Sequence, residues 1–246
     1  MSHAILPLAD DRPVRARPIR SFNLEAFMDY PVRPGTDTER MRVRILDVAE
    51  EHFRRIGHHK TSVADIASEL GMSRANIYRF FSSKDAISES VCGRIVNDAA
   101  DVALTIARTS ASPLEKLNRI LTAVHHHTKM QLTEAKRIHD LITAAVRENW
   151  AAIKAHDERM IAIFEAIIRE GMEAGAFEVE DAAEAARAVN TAFIPFVHPS
   201  LIEHCVLHSE DTEVALREQI RFVLKALGKS GNAGCPCGGP AKSGAA

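Results

Sequence analysis

Apolar residues recur every three or four positions along most of the chain, which is the spacing of amphipathic α-helices. The first such stretch begins at Glu39 and continues from Met41 to Ile56, where Gly57 supplies a stop signal. Nowhere does an alternation of apolar and polar residues persist, so the pattern favours no strand. We therefore predict an all-α fold of about nine helices.

Two short helices follow in close succession within residues 61–81. Ser62 with Asp65 three positions later is a capping box, which predicts a helix start. Gly71 can form a tight turn, and Ser73 can cap the second helix. Two short helices joined by such a turn are typical of a helix-turn-helix, whose second helix enters the major groove of DNA. The alternative is a helical hairpin with an ordinary polar surface.

The N-terminal end of the second helix carries the side chains that read bases in such motifs. Arginine pairs in a bidentate manner with guanine, and asparagine with adenine. We therefore predict base contacts by Ser73, Arg74 and Asn76. Polar and basic side chains around the motif are predicted to contact phosphates: Thr61, Ser62, Tyr78, Arg79 and Lys84.

The sequence RILDVAEEHFRRIGHHKTSVADIASELGMSRANIYRFFSSKDAI, within residues 42–90, resembles the DNA-binding domain of the TetR family of bacterial transcriptional regulators. This resemblance implies an all-α homodimer with an N-terminal helix-turn-helix and a C-terminal effector domain. It also places the recognition helix at 74–80. Phe80 departs from the family pattern, because many members carry a polar ring there that can bind a phosphate.

Composition and charge agree with a DNA-binding head on a separate body. The 246 residues are 46% hydrophobic and 26% charged, as in ordinary globular proteins. Residues 39–94 carry a net charge of +2, whereas residues 95–228 carry −6, so DNA would attract the first segment and repel the second. No apolar run is long enough for a membrane span, and four scattered cysteines favour a reducing cytoplasm.

These patterns divide the chain into four expected parts. Residues 1–38 are proline-rich and are expected to form a flexible arm, whose contact with DNA stays open. Residues 39–90 form the helix-turn-helix domain, and residues 91–228 form the domain for effector binding and dimerisation. Residues 229–246 are rich in Gly, Ala and Ser and are expected to be a disordered tail.

The resemblance implies a pocket for a small apolar or aromatic effector in the body, although the same apolar faces could form a solid core. The residues that we predict for this pocket are Trp150, Phe164, Ile168, Phe193 and Phe196. The last helix, near 211–228, has a narrow apolar stripe between charged flanks. Together with the helix at 181–194, it is the predicted dimer interface.

An alternative is a regulator that responds to a metal or to redox state. His204 and His208 are four residues apart, which suits two metal ligands on one helix face. Cys235 and Cys237 could bind a soft metal or form a redox pair. No catalytic or cofactor-binding motif is present, so we expect neither an enzyme nor a cofactor. The leading prediction is a repressor that a small effector releases from a palindromic operator in double-stranded DNA.

Overall fold

The structure is a computed structural model that describes residues 36–134, 136–208 and 211–228. This part of the chain contains ten helices and a single isolated β-bridge, between Phe177 and Gly228. The helices are α1 (Asp37–Ile56), α2 (Val63–Glu69), α3 (Arg74–Ile77), α4 (Lys84–Ala107), α5 (Pro113–Glu134), α6 (Lys136–Arg147), α7 (Ala151–Glu173), α8 (Ala182–Val197), α9 (Pro199–Leu207) and α10 (Thr212–Leu227). The all-α prediction is confirmed, and the count exceeds nine because α9 is a helix of its own.

The first helix begins two residues earlier than predicted because Thr36 caps it. The Thr36 hydroxyl accepts a hydrogen bond from the Glu39 amide at 3.3 Å, and the Glu39 carboxylate accepts one from the Thr36 amide at 2.8 Å. Residues 36–38 therefore belong with α1 and not with the expected arm. The rest of that arm, residues 1–35, and the expected tail, 229–246, lie outside the described residues.

Two other helix ends differ from the prediction. The sequence predicts a helix at 181–194, but α8 continues past Pro195 to Val197. A proline in the last turn of a helix removes only one backbone donor, and the His198 amide still closes the turn by donating to the Ile194 carbonyl at 2.8 Å. α3 is shorter than expected, since it ends at Ile77 and gives way to a turn before Phe80.

Two hydrophobic clusters hold the helices together. The first, called the head core, joins α1, α2 and α3 through buried residues that include Ile45, Phe53, Ile66 and Ile77. The second, called the body core, unites α5, α7, α8 and α10. Burial of these apolar faces is the main stabilising contribution to such a fold.

α4 and α6 each connect the head core to helices of the body. α4 contributes Ile87 and Val91 to the head core and, two turns further on, Ala99 and Ala103 to the body core. α6 contributes Ile138, Leu141 and Ala145 to the head core and also packs against α5. Both helices therefore pack against the N-terminal helix α1 and also against the C-terminal helices α5 and α7.

Candidate functional site

The helix-turn-helix is built from local hydrogen bonds that the sequence encodes. The Ser62 hydroxyl accepts from the Asp65 amide at 3.2 Å, and the Asp65 carboxylate accepts from the Ser62 amide at 2.8 Å. Hydrogen bonds from Ser62 hold the pKa of the Asp65 carboxyl below its usual value. This capping box begins α2 at Val63 and orients its buried face toward the head core.

A tight turn then sets the angle between α2 and α3. Gly71 has φ of +63°, a left-handed conformation that costs glycine little and other residues more. The Met72 amide donates to the Ala67 carbonyl at 2.8 Å and closes the turn. The Ser73 hydroxyl accepts from the Asn76 amide at 3.2 Å and begins α3.

α3 is anchored on one side only. Ile77 is fully buried in the head core, whereas Ser73, Arg74 and Arg79 are exposed and Asn76 is partly exposed. The Tyr78 side chain is 49% exposed next to them. The structure thus brings the residues that we predicted for base contact onto the outer side of one short helix, with Tyr78 and Arg79 directly following it.

The other three residues predicted for phosphate contact lie in different surroundings. Ser62 is exposed at the start of α2. Lys84 begins α4, and its ammonium group donates to the His59 carbonyl at 3.3 Å. Thr61, in contrast, is 1% exposed, and its hydroxyl donates to the Gly57 carbonyl at 3.0 Å. The Thr61 hydroxyl is thus buried and already bonded within the loop, an arrangement that does not favour the predicted phosphate contact.

Arg42 has a role that the sequence did not suggest. Its guanidinium lies 4.3 Å from the centre of the Phe81 ring, and it donates a hydrogen bond to the Phe80 carbonyl. These contacts hold the segment after α3 against α1. No local signal could have revealed this pairing, since 38 residues separate Arg42 from Phe80.

A cavity of about 300 Å³ lies in the body, between α4, α5, α6, α7 and α8. Two of the residues that we predicted for an effector pocket, Phe164 and Phe193, line it. The other three do not. Ile168 is fully buried in the body core, Phe196 packs on the outside of that core, and Trp150 packs against the head core. The cavity is therefore displaced from the aromatic cluster expected from the sequence.

Polar side chains interrupt the mainly apolar wall of this cavity. His139 of α6 is joined to Glu203 of α9 by a hydrogen bond of 3.0 Å between Nε2 and Oε2. Burial, with a smaller effect of the Arg159 charge, lowers the pKa of His156 to about 4. Desolvation raises the pKa of the neighbouring Asp157 carboxyl. The arrangement can enclose an apolar molecule and offer it a few hydrogen-bonding groups.

The metal and redox alternative gains nothing from the described residues. The rings of His204 and His208 lie with centroids 4.3 Å apart and are tilted by 52° to each other. Within the described ranges, no group of three or more His, Cys, Asp or Glu residues is arranged to hold a metal ion. Burial raises the pKa of the Cys92 thiol to about 12, which makes it unreactive. Cys235 and Cys237 lie outside the described residues.

An exposed apolar groove runs between α8 and α10, where the dimer interface was predicted. Small side chains of α8, among them Ala185, Ala188 and Ala192, form one wall. Phe222 of α10 stands at the other wall and is 68% exposed. Such an exposed aromatic beside a groove of alanines is typical of an association surface.

None of the helices in the described segments has the length and apolar character to cross a bilayer.

Comparisons with known proteins agree with this geometry. Residues 45–91 match the family described as bacterial regulatory proteins of the tetR family. Residues 113–216 match the tetracyclin repressor-like C-terminal domain. The HTH-type transcriptional repressor KstR2 of Mycolicibacterium smegmatis is 27% identical over 156 residues, which are 61% of this chain and 71% of the relative.

Solved structures show the same fold. A TetR/AcrR-family regulator from Thermobifida fusca superposes with a TM-score of 0.54 at 22% identity, covering 77% of this chain and all of the other. FadR from Bacillus subtilis, solved in complex with stearoyl-CoA, superposes with a TM-score of 0.55 at 18% identity, covering 75% of this chain and 98% of FadR. At such identities the likeness supports the fold alone.

Proposed function

The chain belongs to the TetR family of ligand-responsive, DNA-binding transcriptional regulators, and from this premise we propose that it is a homodimeric repressor of a palindromic operator. The observation that carries the proposal is α3, which Ile77 anchors in the head core while its outer side presents Arg74 and Asn76. The likeness to the transcriptional repressor KstR2 supports the repressor assignment. A regulator of this kind works in the cytoplasm.

We propose that Ser73, Arg74 and Asn76 contact the DNA bases. Four further residues are proposed to contact phosphates: Ser62, Tyr78, Arg79 and Lys84. The hydroxyl of Ser73 accepts from the Asn76 amide, so its own proton is available to a base or phosphate oxygen. Tyr78 supplies a second exposed hydroxyl one turn later. Arg79 and Lys84 bring positive charge to the flanks of the motif.

Dimerisation through α8 and α10 would place two heads on one DNA duplex. Burial of Phe222 and the alanine wall against a second copy would form a four-helix seam. Two-fold symmetry in the protein requires a palindromic operator, with half-sites about one helical turn or more apart. The division into a head of 36–90 and a body of 91–228, with an arm before and a tail after, is part of this proposal.

Release of DNA would follow from binding in the body cavity. One side of α6 contributes Leu141 and Ala145 to the head core, while Ile142 and Val146 of the same helix line the cavity. α4 likewise joins the cavity wall to the head. An effector that prefers one arrangement of these helices would shift the population of dimers away from the spacing that fits the operator.

Selection of bound duplexes from a random DNA pool tests the proposal. Wild-type protein is expected to enrich a palindrome, and the Arg74→Ala, Asn76→Ala variant is not. Because phosphate contacts release counterions, the binding constant of the selected duplex should fall steeply with salt concentration. Failure of the wild type to enrich any sequence at low salt would contradict the repressor function.

A further inference from the structure

The wall of the body cavity holds more hydrogen-bonding capacity than the protein itself uses. Three histidines line the cavity, namely His139, His156 and His198. The Nδ1 atom of each is buried and has no hydrogen-bond partner among the residues that the structure describes. Buried polar atoms are almost always paired, because leaving them unpaired costs free energy. Three such atoms in one wall therefore point to a missing partner.

The hydrogen bond to Glu203 determines which ring nitrogen of His139 carries the proton, and His139 is the strongest candidate to bind a ligand. This side chain is 4% exposed, and its Nε2 lies 3.0 Å from the Glu203 carboxylate. A carboxylate accepts hydrogen bonds, so Nε2 carries the proton and donates it. In the neutral ring Nδ1 is then an acceptor. χ2 of histidine is broad, so a modest rotation can turn this nitrogen toward a ligand in the cavity.

The charges around the cavity restrict the ligand further. Among the described residues that line it, none is lysine or arginine. An anionic group would meet the Asp157 carboxyl and no compensating cation. Burial keeps His156 neutral at physiological pH, since its pKa is about 4. The wall thus offers a neutral imidazole at His156 and a desolvated carboxyl at Asp157, and neither compensates a buried negative charge.

The volume of the cavity limits the size of the ligand, and the apolar lining indicates a largely apolar molecule. The cavity of about 300 Å³ lies at the lower end of the range of small-molecule pockets, about 300–1,000 Å³. Most of the wall is aliphatic or aromatic, including Met160, Phe164 and Phe193. An apolar molecule with one polar end fits this surface better than a sugar or a nucleotide does.

We propose that the effector is a neutral, largely apolar alcohol or phenol whose hydroxyl donates a hydrogen bond to Nδ1 of His139. His156 and His198 stand in the same wall to bind a second polar group. This inference rests on the proposed function only in regarding the cavity as the effector site.

Four probes that share a ten-carbon alkyl chain and differ in their end group test which polar group the cavity prefers. Binding of decanol, decanoate, decylamine and decane to the full chain is measured by calorimetry at mildly alkaline pH. Decanol is expected to bind tightest of the four. Tighter binding of decanoate or decylamine, or no binding of decanol, would overturn the proposal. This ranking uses wild-type protein and does not depend on any variant folding.

Variants of His139 identify the atom that reads the hydroxyl. His139→Phe keeps a ring and removes Nδ1, and it is expected to weaken decanol binding about three- to tenfold while decane binding is unchanged. His139→Asn retains an oxygen acceptor near the Nδ1 position and is the matched control, with much of the affinity restored. Equal losses for decanol and decane would show a purely structural role for His139 and refute the assignment.

DNA binding without any probe separates this inference from the proposed function. A chain that binds its selected operator but does not prefer decanol disproves the alcohol assignment and leaves the repressor function intact. A chain that binds decanol through His139 but enriches no DNA disproves the repressor function and upholds the ligand chemistry.

Discussion

A Cβ atom added to Gly171 would lie 2.1 Å from Cδ2 of Phe177. Gly171 is a buried residue inside α7, and the Phe177 ring packs directly on its backbone after the chain has reversed direction. The Phe177 amide also donates to the Gly171 carbonyl at 3.1 Å. A glycine inside a helix is unfavourable in itself, so this close approach is the physical reason for its presence in α7.

Replacing Gly171 by alanine is expected to destabilise the protein by about 1–3 kcal/mol, as overpacking of a core does. The gain in helix propensity, about 1 kcal/mol, opposes the effect and does not cancel it. Denaturant unfolding of both proteins measures the change. In a Phe177→Ala background the same substitution should be neutral or stabilising. A loss that persists there would show that the ring is not the cause.

Removal of Arg79 tests the proposed phosphate contacts. Arg79→Ala should weaken binding to all DNA sequences alike and reduce the salt dependence by about one counterion. Affinities of the operator and of an unrelated duplex, measured over a range of salt concentrations, give both quantities. Arg119→Ala on α5 removes an exposed arginine of the body and serves as the control. A change in sequence preference for Arg79→Ala would instead indicate a base contact.

Acid sensitivity should depend on His156. Its pKa is lowered by burial from 6.5 to about 4, so between these values the unfolded chain binds more protons than the folded one. The contribution of neutral His156 to the free energy of unfolding is therefore fully present above pH 6.5 and is lost as the pH falls toward 4. It amounts to about 3 kcal/mol, at about 1.36 kcal/mol per unit of pKa shift. His156→Leu should remove its share of the stability loss in this interval while leaving neutral stability unchanged or higher; the share of His58, whose pKa burial also lowers to about 4, remains. Parallel profiles for the two proteins would exclude His156 as the source.

A charge placed on the α8–α10 groove should prevent dimerisation. Phe222→Glu puts a carboxylate where the proposed four-helix seam would exclude water, and desolvation of that charge is costly. Sedimentation at micromolar concentration should show a monomer for this variant and a dimer for the wild type. Leu114→Glu, which changes an exposed leucine at the start of α5, should remain dimeric. A dimeric Phe222→Glu protein would move the interface elsewhere.

Local signals in the sequence were enough to predict the helix-turn-helix. The cap of Ser62 by Asp65 and the cap of Asn76 by Ser73 each span three residues, and both are present in the structure. The predicted turn is present as well, with Gly71 at φ of +63°. Capping, turn and periodicity depend on residues within about one turn of each other, so the chain reveals them without its tertiary contacts.

Only the tertiary structure decided which apolar faces border a cavity. Phe164 and Ile168 are four residues apart on one face of α7, yet Phe164 lines the cavity and Ile168 is solid core. Periodicity shows that a face is buried, but the void depends on how five helices cross. The tertiary structure also decided the burial of Thr61, whose hydroxyl donates to the Gly57 carbonyl. It likewise brought together His139 and Glu203, which lie 64 residues apart in the sequence. Such contacts depend on helix packing, which no short stretch of sequence specifies.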